Sequence, residues 1–388
     1  MSSKRAWSEE DALAQRLKAQ GLDRRAPASA LVRACGAMGG AQAQVGSAAR
    51  LSLAARVAGL TDARLRAAVD ADRTLVKTWT VRGTLHLVPA DDLALYVSGL
   101  SPERRGYALS WLARSGLDAK TIEALGADIV EALKDGPLGR KEIAARVGDA
   151  HGARARQMLE NSWGGVFHTV TSQGLICFGP SAGGQTTFVR VDTWLGAPLK
   201  LRDRAEAEAE IARRFLLAYG PATVGDFAYW AGLYVPPARR MWERIAGEMR
   251  PVTVGGKPAF VHESVKAPPR ARGADPHVRL LPNFDAYLLG HKGKDACVEP
   301  ARYKKVFKNA GWISPVVLVD GRVRGTWSLE RGTRGLVVRV AAFKPLSRAE
   351  REGVAREAEE VAAFAGLAAR VRYGKSARPK AKVAWTGP

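Results

Sequence analysis

The chain of 388 residues is long enough for several domains with separate cores, and its 60 Lys and Arg against 38 Asp and Glu give a formal net charge of +22. Charge of that size draws a protein to a polyanion, with nucleic acid the first candidate. Three scattered cysteines (Cys35, Cys177, Cys297) and dispersed histidines exclude a disulfide framework and suggest no metal site. No uncharged apolar run is long enough to span a bilayer, and Met1–Glu10 lacks the apolar stretch of a signal peptide. The expectation is a cytoplasmic, nucleoid-associated protein with no cofactor.

In chain order, residues 12–17 read as a lead-in helix and residues 29–37 as a second, which runs into Gly39-Gly40-Ala41-Gln42-Ala43-Gln44. Ser52-Leu-Ala-Ala-Arg-Val-Ala-Gly-Leu-Thr-Asp-Ala-Arg-Leu-Arg-Ala-Ala-Val69 follows as a helix, a turn and a second helix. The alternation of residues 75–88 about Arg82-Gly83 predicts a β-hairpin. Glu142–Leu159 repeats the helix-turn-helix pattern down to its Ala-Ala-Arg-Val core, and Asp226–Trp242 is a looser third copy. Residues 166–171 with 175–178 are expected as a strand pair after the second copy, and residues 251–254 with 259–261 after the third. A helix-turn-helix followed by a hairpin is a winged helix.

Beyond a linker at residues 266–273 the texture turns to strands. They are expected at residues 278–282, 287–290, 314–327 and 335–340, with Asp320-Gly321 as a hairpin turn. One long helix from Ser347 to about Arg370 closes this part. The expected fold is α+β: three tandem winged helix-turn-helix domains (1–100, 101–198, 199–265), a small C-terminal β-barrel with a long terminal helix (274–373) and a basic tail (374–388).

Few motifs carry chemistry. Gly374-Lys375-Ser376 ends like a phosphate loop, but Ala369 stands where its first glycine is needed. No nucleophile elbow, His-Glu-x-x-His or Cys-x-x-Cys occurs. Gln42-Ala43-Gln44 is the one unusual polar element, and alone it is weak evidence. Asp285 is a tempting acid, although capping a turn suits it better; Trp79 and Trp327 read as core residues.

Taken together, Gln42-Ala43-Gln44, Ser52–Leu60, Thr78-Trp79 with Arg82–Val88, and, toward the C-terminus, Leu280–Gly290 and Pro315–Trp327 resemble the AlkZ-type winged-helix DNA glycosylases. The likeness covers nearly the whole chain. It implies three winged helices, a C-terminal barrel and excision of alkylated purines, bulky adducts and interstrand crosslinks included, from duplex DNA. It places the catalytic Gln-x-Gln on Gln42 and Gln44. Keeping Gln rather than Asp at the second position puts the chain nearer the crosslink-unhooking branch.

Amides suit that chemistry. An N7-alkylated guanine is already cationic and leaves without a general acid, so water must be positioned and an oxocarbenium-like sugar stabilised. With no lysine indicated as a nucleophile, a monofunctional, monomeric glycosylase is expected. Phosphate contacts are expected from Lys77 and Arg82 on the first wing, Arg140 and Lys141 at the second unit, and Arg154 and Arg156 on its second helix. His168, Thr169 and Gln173 are expected on the second hairpin, which either lies in the minor groove beside the lesion or packs as a wing on its own core. The competing reading is a non-catalytic DNA-binding regulator or architectural protein built from the same winged helices.

Overall fold

The computed structural model describes residues 5–160, 165–181, 183–267, 275–332 and 335–374 of a mixed α+β chain. Its residues form two compact units, one from those up to Leu65 with Ala212–Trp230 and those from Tyr234 onward, the other from Arg66–Ile211 with Ala231–Leu233. The linker expected at 266–273 and the basic tail fall almost wholly outside the described residues.

Each repeated segment folds locally as a helix pair: Gly46–Ala54 and Asp62–Arg66, Arg140–Val147 and Ala153–Glu160, Val224–Ala231 and Val235–Glu243. The first hairpin forms as read, Leu75–Trp79 against Leu85–Pro89 with Thr78 opposite His86. Arg82 and Gly83 make its tip in the left-handed region, at φ 58 and 65. The strand pair after the third copy is Met249–Val254 with Lys257–His262, and Arg5–Trp7 adds a parallel third strand.

The second hairpin is not as expected. Residues Gly165–Ser172, rich in β-branched side chains, form a helix, so His168 and its neighbours do not lie on a wing. Val166, Phe167, Thr169, Val170, Thr171 and Ser172 are all buried. Thr169 Oγ1 donates to the Val166 carbonyl and Ser172 Oγ to that of Thr169, each at 2.7 Å. Burial on all sides overrides strand propensity, which reflects fit to a half-buried surface. The strands of this unit are Leu85–Pro89, Leu75–Trp79, Ile176–Phe178, Thr187–Arg190 and Leu138–Gly139, hydrogen-bonded in that order.

In the first unit, the expected barrel is an open five-stranded sheet among the described residues. Its order is Val278–Leu281, Val316–Val319, Arg322–Gly332, Gly335–Ala342, Ala369–Tyr373, and its two outer strands are not joined. The terminal helix is shorter than expected, Arg348–Phe364. A capping box begins it, with Glu350 N donating to Ser347 Oγ and Ser347 N to Glu350 Oε2. Gly366, at φ 68, then turns the chain so that residues 369–373 pair parallel to Gly335–Ala342. Leu336, Val338 and Val340 alternate inward along that strand and meet Val354, Ala358 and Val361 of the helix. Trp327 joins this core and donates its indole N–H to the Leu281 carbonyl at 2.9 Å, as a core tryptophan should.

Residues 287–290 are also not a strand. Asp285 caps a short helix, Ala286–Leu289, by accepting from Tyr287 N at 3.0 Å. The same carboxylate, fully buried, takes both terminal nitrogens of Arg56 at 2.9 Å and the Ser52 hydroxyl at 2.6 Å. Arg56, itself 1% exposed, also donates to the Gln20 and Ser52 carbonyls and to Gln20 Oε1. Burial raises the Asp285 pKa, but the Arg56 charge and the hydrogen bonds of Arg56, Ser52 and Tyr287 outweigh it and hold it below the ordinary value. The network is satisfied on both sides, which a buried ion pair requires.

Arg56→Met, which strands the carboxylate, is expected to destabilise the protein by about 3–5 kcal/mol in urea unfolding. Adding Asp285→Leu in the same chain should restore most of that loss, because no buried charge is then left unpaired.

Candidate active site

Gln42-Ala43-Gln44 lies between the helix Leu31–Ala37 and the helix Gly46–Ala54. The first helix ends at Met38, and Gly39 and Gly40, at φ 75 and 89, swing the chain into the short strand Ala41–Gln42. Non-glycine residues rarely adopt such angles. Gly39 N donates to the Gly36 carbonyl and Gly40 N to that of Cys35, closing the end of the helix. Gln42 is buried to 8% exposure, Ala43 to 3%, and Gln44 is exposed. One amide is thus almost covered and the other stands at the surface, with the alanine between them packed inward.

An aromatic cluster of Phe215, Tyr219, Phe227, Trp230 and Trp242 lies against this turn. Phe215 stacks on Tyr219 at 5.2 Å, and Trp230 lies 5.3 Å from Phe215 and 5.8 Å from Tyr219. Tyr219 donates its hydroxyl to the Met38 carbonyl at 2.7 Å. A methyl on Gly39 would sit 2.7 Å from Trp230 Cζ2, closer than real contacts allow. The sequence offered one signal for this support, the density of aromatic residues in 215–242.

The second unit carries the basic candidates. Lys77, half-buried, stands 5.1 Å over the Phe178 ring, and Arg140 lies 4.5 Å over Phe167 and 5.5 Å over Phe188. Trp79, half-buried, packs on Phe178 at 4.7 Å and beside His168 at 5.7 Å. Lys77, Arg140 and His168 therefore surround one aromatic cluster. Lys141 is exposed, and Gln173, half-buried, follows the helix that carries His168. Arg154 spends its guanidinium on the Ser115 carbonyl and on Gln157, at 2.7 and 2.6 Å. Arg156 pairs with Asp149 at 2.7 Å and with Glu160 at 3.4 Å, so its charge is already met by carboxylates.

The first hairpin's tip rests on a residue that the sequence did not single out. Arg104, 6% exposed, donates to the Thr80 and Ala231 carbonyls. Burial, with the Arg82 charge, lowers its pKa to about 9, so it stays cationic at neutral pH. His86 places Nδ1 3.0 Å from the Thr84 carbonyl and Nε2 3.4 Å from Arg82. The tautomer that satisfies both contacts keeps the proton on Nδ1 and presents Nε2 to the guanidinium. Burial, with Arg82, depresses the His86 pKa to about 3; burial, with Arg104, depresses that of His168 to about 4. Both rings are neutral at physiological pH. Their placement beside arginines fixes the hairpin without adding charge.

Among the described residues no group of His, Cys, Asp and Glu is arranged to hold a metal ion, and no helix is long and apolar enough to cross a membrane. All three cysteines are buried thiols outside any disulfide.

A mixed α+β scaffold with one almost covered and one exposed amide at a glycine-set turn is consistent with a DNA glycosylase, and comparison with known proteins fixes that class. The family model of the AlkZ-like DNA glycosylases matches residues 35–364. An interstrand DNA cross-link repair glycosylase of Streptomyces sahachiroi is 33% identical over 370 residues, 94% of this chain and 98% of the relative. The solved structure of the Streptomyces sahachiroi DNA glycosylase AlkZ matches with a TM-score of 0.82 at 32% identity, over 95% of this chain and all of that one. The chain belongs to the AlkZ-like DNA glycosylase family. The alternative of a non-catalytic regulator falls with that membership.

Because the unfolded chain protonates its histidines near pH 6.5 while His86 and His168 stay neutral in the fold until about pH 3 and 4, stability is full above pH 6.5. It should fall as the pH drops through that value. Urea midpoints at pH 7.5, 6.5 and 5.5 measure this, and the slope should be smaller in His86→Asn.

Proposed function

We propose that this glycosylase hydrolyses the N-glycosidic bond of N7-alkylated purines in duplex DNA, bulky adducts and interstrand crosslinks included. It acts as a monofunctional monomer without a cofactor. Gln42 and Gln44 are the catalytic residues. The observation that carries the reading is the placement of this amide pair at a glycine-set turn, one member exposed, in a chain whose relative is named for interstrand cross-link repair.

The departing base brings its own positive charge, so the barrier lies in placing water and stabilising the sugar cation. The carbonyl oxygen of one Gln accepts a hydrogen bond from the attacking water. The carbonyl dipole of the other faces the developing charge at C1′. Neither amide titrates near neutrality, so excision of a cationic base should hardly change in rate between pH 6 and 8. It should be poor on unmodified purines, which need a general acid.

The repeated helix pairs serve as winged helices that grip the duplex backbone. Lys77 and Arg82 on the first hairpin, with Lys141 and Arg140 at the second copy, supply phosphate contacts. Arg154 and Arg156 contribute less, their guanidinium groups being already engaged.

The test is base release from duplexes holding one N7-methylguanine, one bulky N7 adduct or one crosslink. Gln42→Ala and Gln44→Ala should each slow release by about 10²-fold, the loss typical of one preorganised electrostatic group. Duplex affinity should stay within about twofold, since such groups act in the transition state. Strand scission without added base, or an adduct trapped by borohydride, would refute the monofunctional reading.

A further inference from the structure

We propose that Tyr219 and Trp230 are positioning residues for base excision. Through the turn at Met38–Gly40 they hold Gln42 and Gln44 at the height and angle that the reaction needs. This rests on the reading of the two glutamines as the catalytic pair.

Two consecutive glycines in the left-handed region give the segment its sharp turn and also its weakness. With no Cβ, such a pair has many nearby conformations, so the two glycines do not by themselves fix the path of the chain through the turn. The helix-closing bonds of Gly39 and Gly40 to the Gly36 and Cys35 carbonyls secure the side facing the helix. Tyr219 and Trp230 secure the other. The Tyr219 hydroxyl takes the Met38 carbonyl at 2.7 Å, and both residues are 1% exposed. A buried bond of this kind is expensive to leave unmade. Trp230 occupies the space in which a side chain at position 39 would begin.

The two rings cannot yield. Tyr219 is stacked on Phe215, and a methyl added at Gly290 would overlap its ring. Trp230 packs on Phe215, Tyr219 and Phe227. Gly290 ends the Leu280–Gly290 motif, so a signature far along the chain fixes the tyrosine that fixes the turn. Catalysis by oriented dipoles is steep in geometry, and a displacement of about 1 Å costs on the order of 10²-fold.

Tyr219→Phe keeps the ring stack and deletes the hydroxyl. At saturating protein on a duplex holding one N7-methylguanine, its single-turnover release rate should fall about tenfold or more. Duplex Kd should stay within about twofold of the parent, as expected when the loss lies in orientation alone. Gly39→Ala, which both strains the backbone and strikes Trp230, should show the same split with a larger loss. A merely structural tyrosine would lower the melting temperature and leave the rate per folded molecule unchanged. That result, or a rate loss matched by weaker duplex binding, overturns the proposal. Gln42→Ala and Gln44→Ala run beside it: if both slow release while Tyr219→Phe does not, the positioning role is wrong and the amide reading stands. If the glutamine variants release base at the parent rate, the amide reading is wrong and this inference falls with it.

Discussion

The first unit depends on one buried ion pair. Arg56 leaves the end of a helix in the first sixth of the chain, and Asp285 caps a short helix near its last quarter, yet the two share a bidentate contact closed to water. Neither charge could be buried alone, because desolvation of an unpaired ion costs several kcal/mol. Ser52, Gln20 and the Tyr287 backbone complete the hydrogen bonding, so the pair is a register mark as well as a contact. Phe284, held at φ 56 just before the aspartate, is the local strain that this geometry carries. Two of the segments that resemble the family, Ser52–Leu60 and Leu280–Gly290, are the two halves of this interaction.

Near the same region the chain solves a second problem, how to present polar groups from a turn that has little stiffness of its own. Glycines give the turn its shape, and large aromatic residues give it rigidity. The buried tyrosine hydroxyl shows the economy of the arrangement: its partner is a carbonyl at the end of a helix, one of the groups a helix cannot satisfy for itself. The second unit uses a related device at its hairpin, where Arg104 spans two backbone carbonyls and neutral histidines fill the space beside the arginines. Buried cations next to neutral imidazoles are tolerable because protonation of either ring would add like charge in a desolvated place.

This division of labour fits the chemistry of the cationic leaving group that we propose. Little is asked of acids and bases when the departing base is already charged. On that proposal preorganisation carries the rate, and the side chains that orient matter as much as those that touch. The family membership fixes the glycosylase class, and the local geometry around Gly39 gives a physical reason why the turn that leads to Gln42 holds its shape.

Much was legible from residue order alone: the repeated helix pairs, the first hairpin about Arg82-Gly83, the alternating strand at 335–340, the core role of Trp327 and the cap at Asp285. These are set by local pattern, where apolar period, turn chemistry and side-chain size decide without reference to distant neighbours. What sequence order misread was decided by burial. Val166–Thr171 looked like a strand and is a helix because apolar neighbours surround it. Residues 287–290 bend into a helix under the Asp285 cap. Residues 369–373 leave the terminal helix to pair with a strand thirty residues earlier. The Ala-Ala-Arg-Val repeat shows the limit most plainly. Arg56 in one copy is sealed against a carboxylate, whereas Arg146 in the other is exposed and donates to the Ala132 carbonyl at 3.4 Å. The tetrapeptides are identical; only the tertiary structure, by bringing Asp285 to one and solvent to the other, decided which arginine would bear the fold.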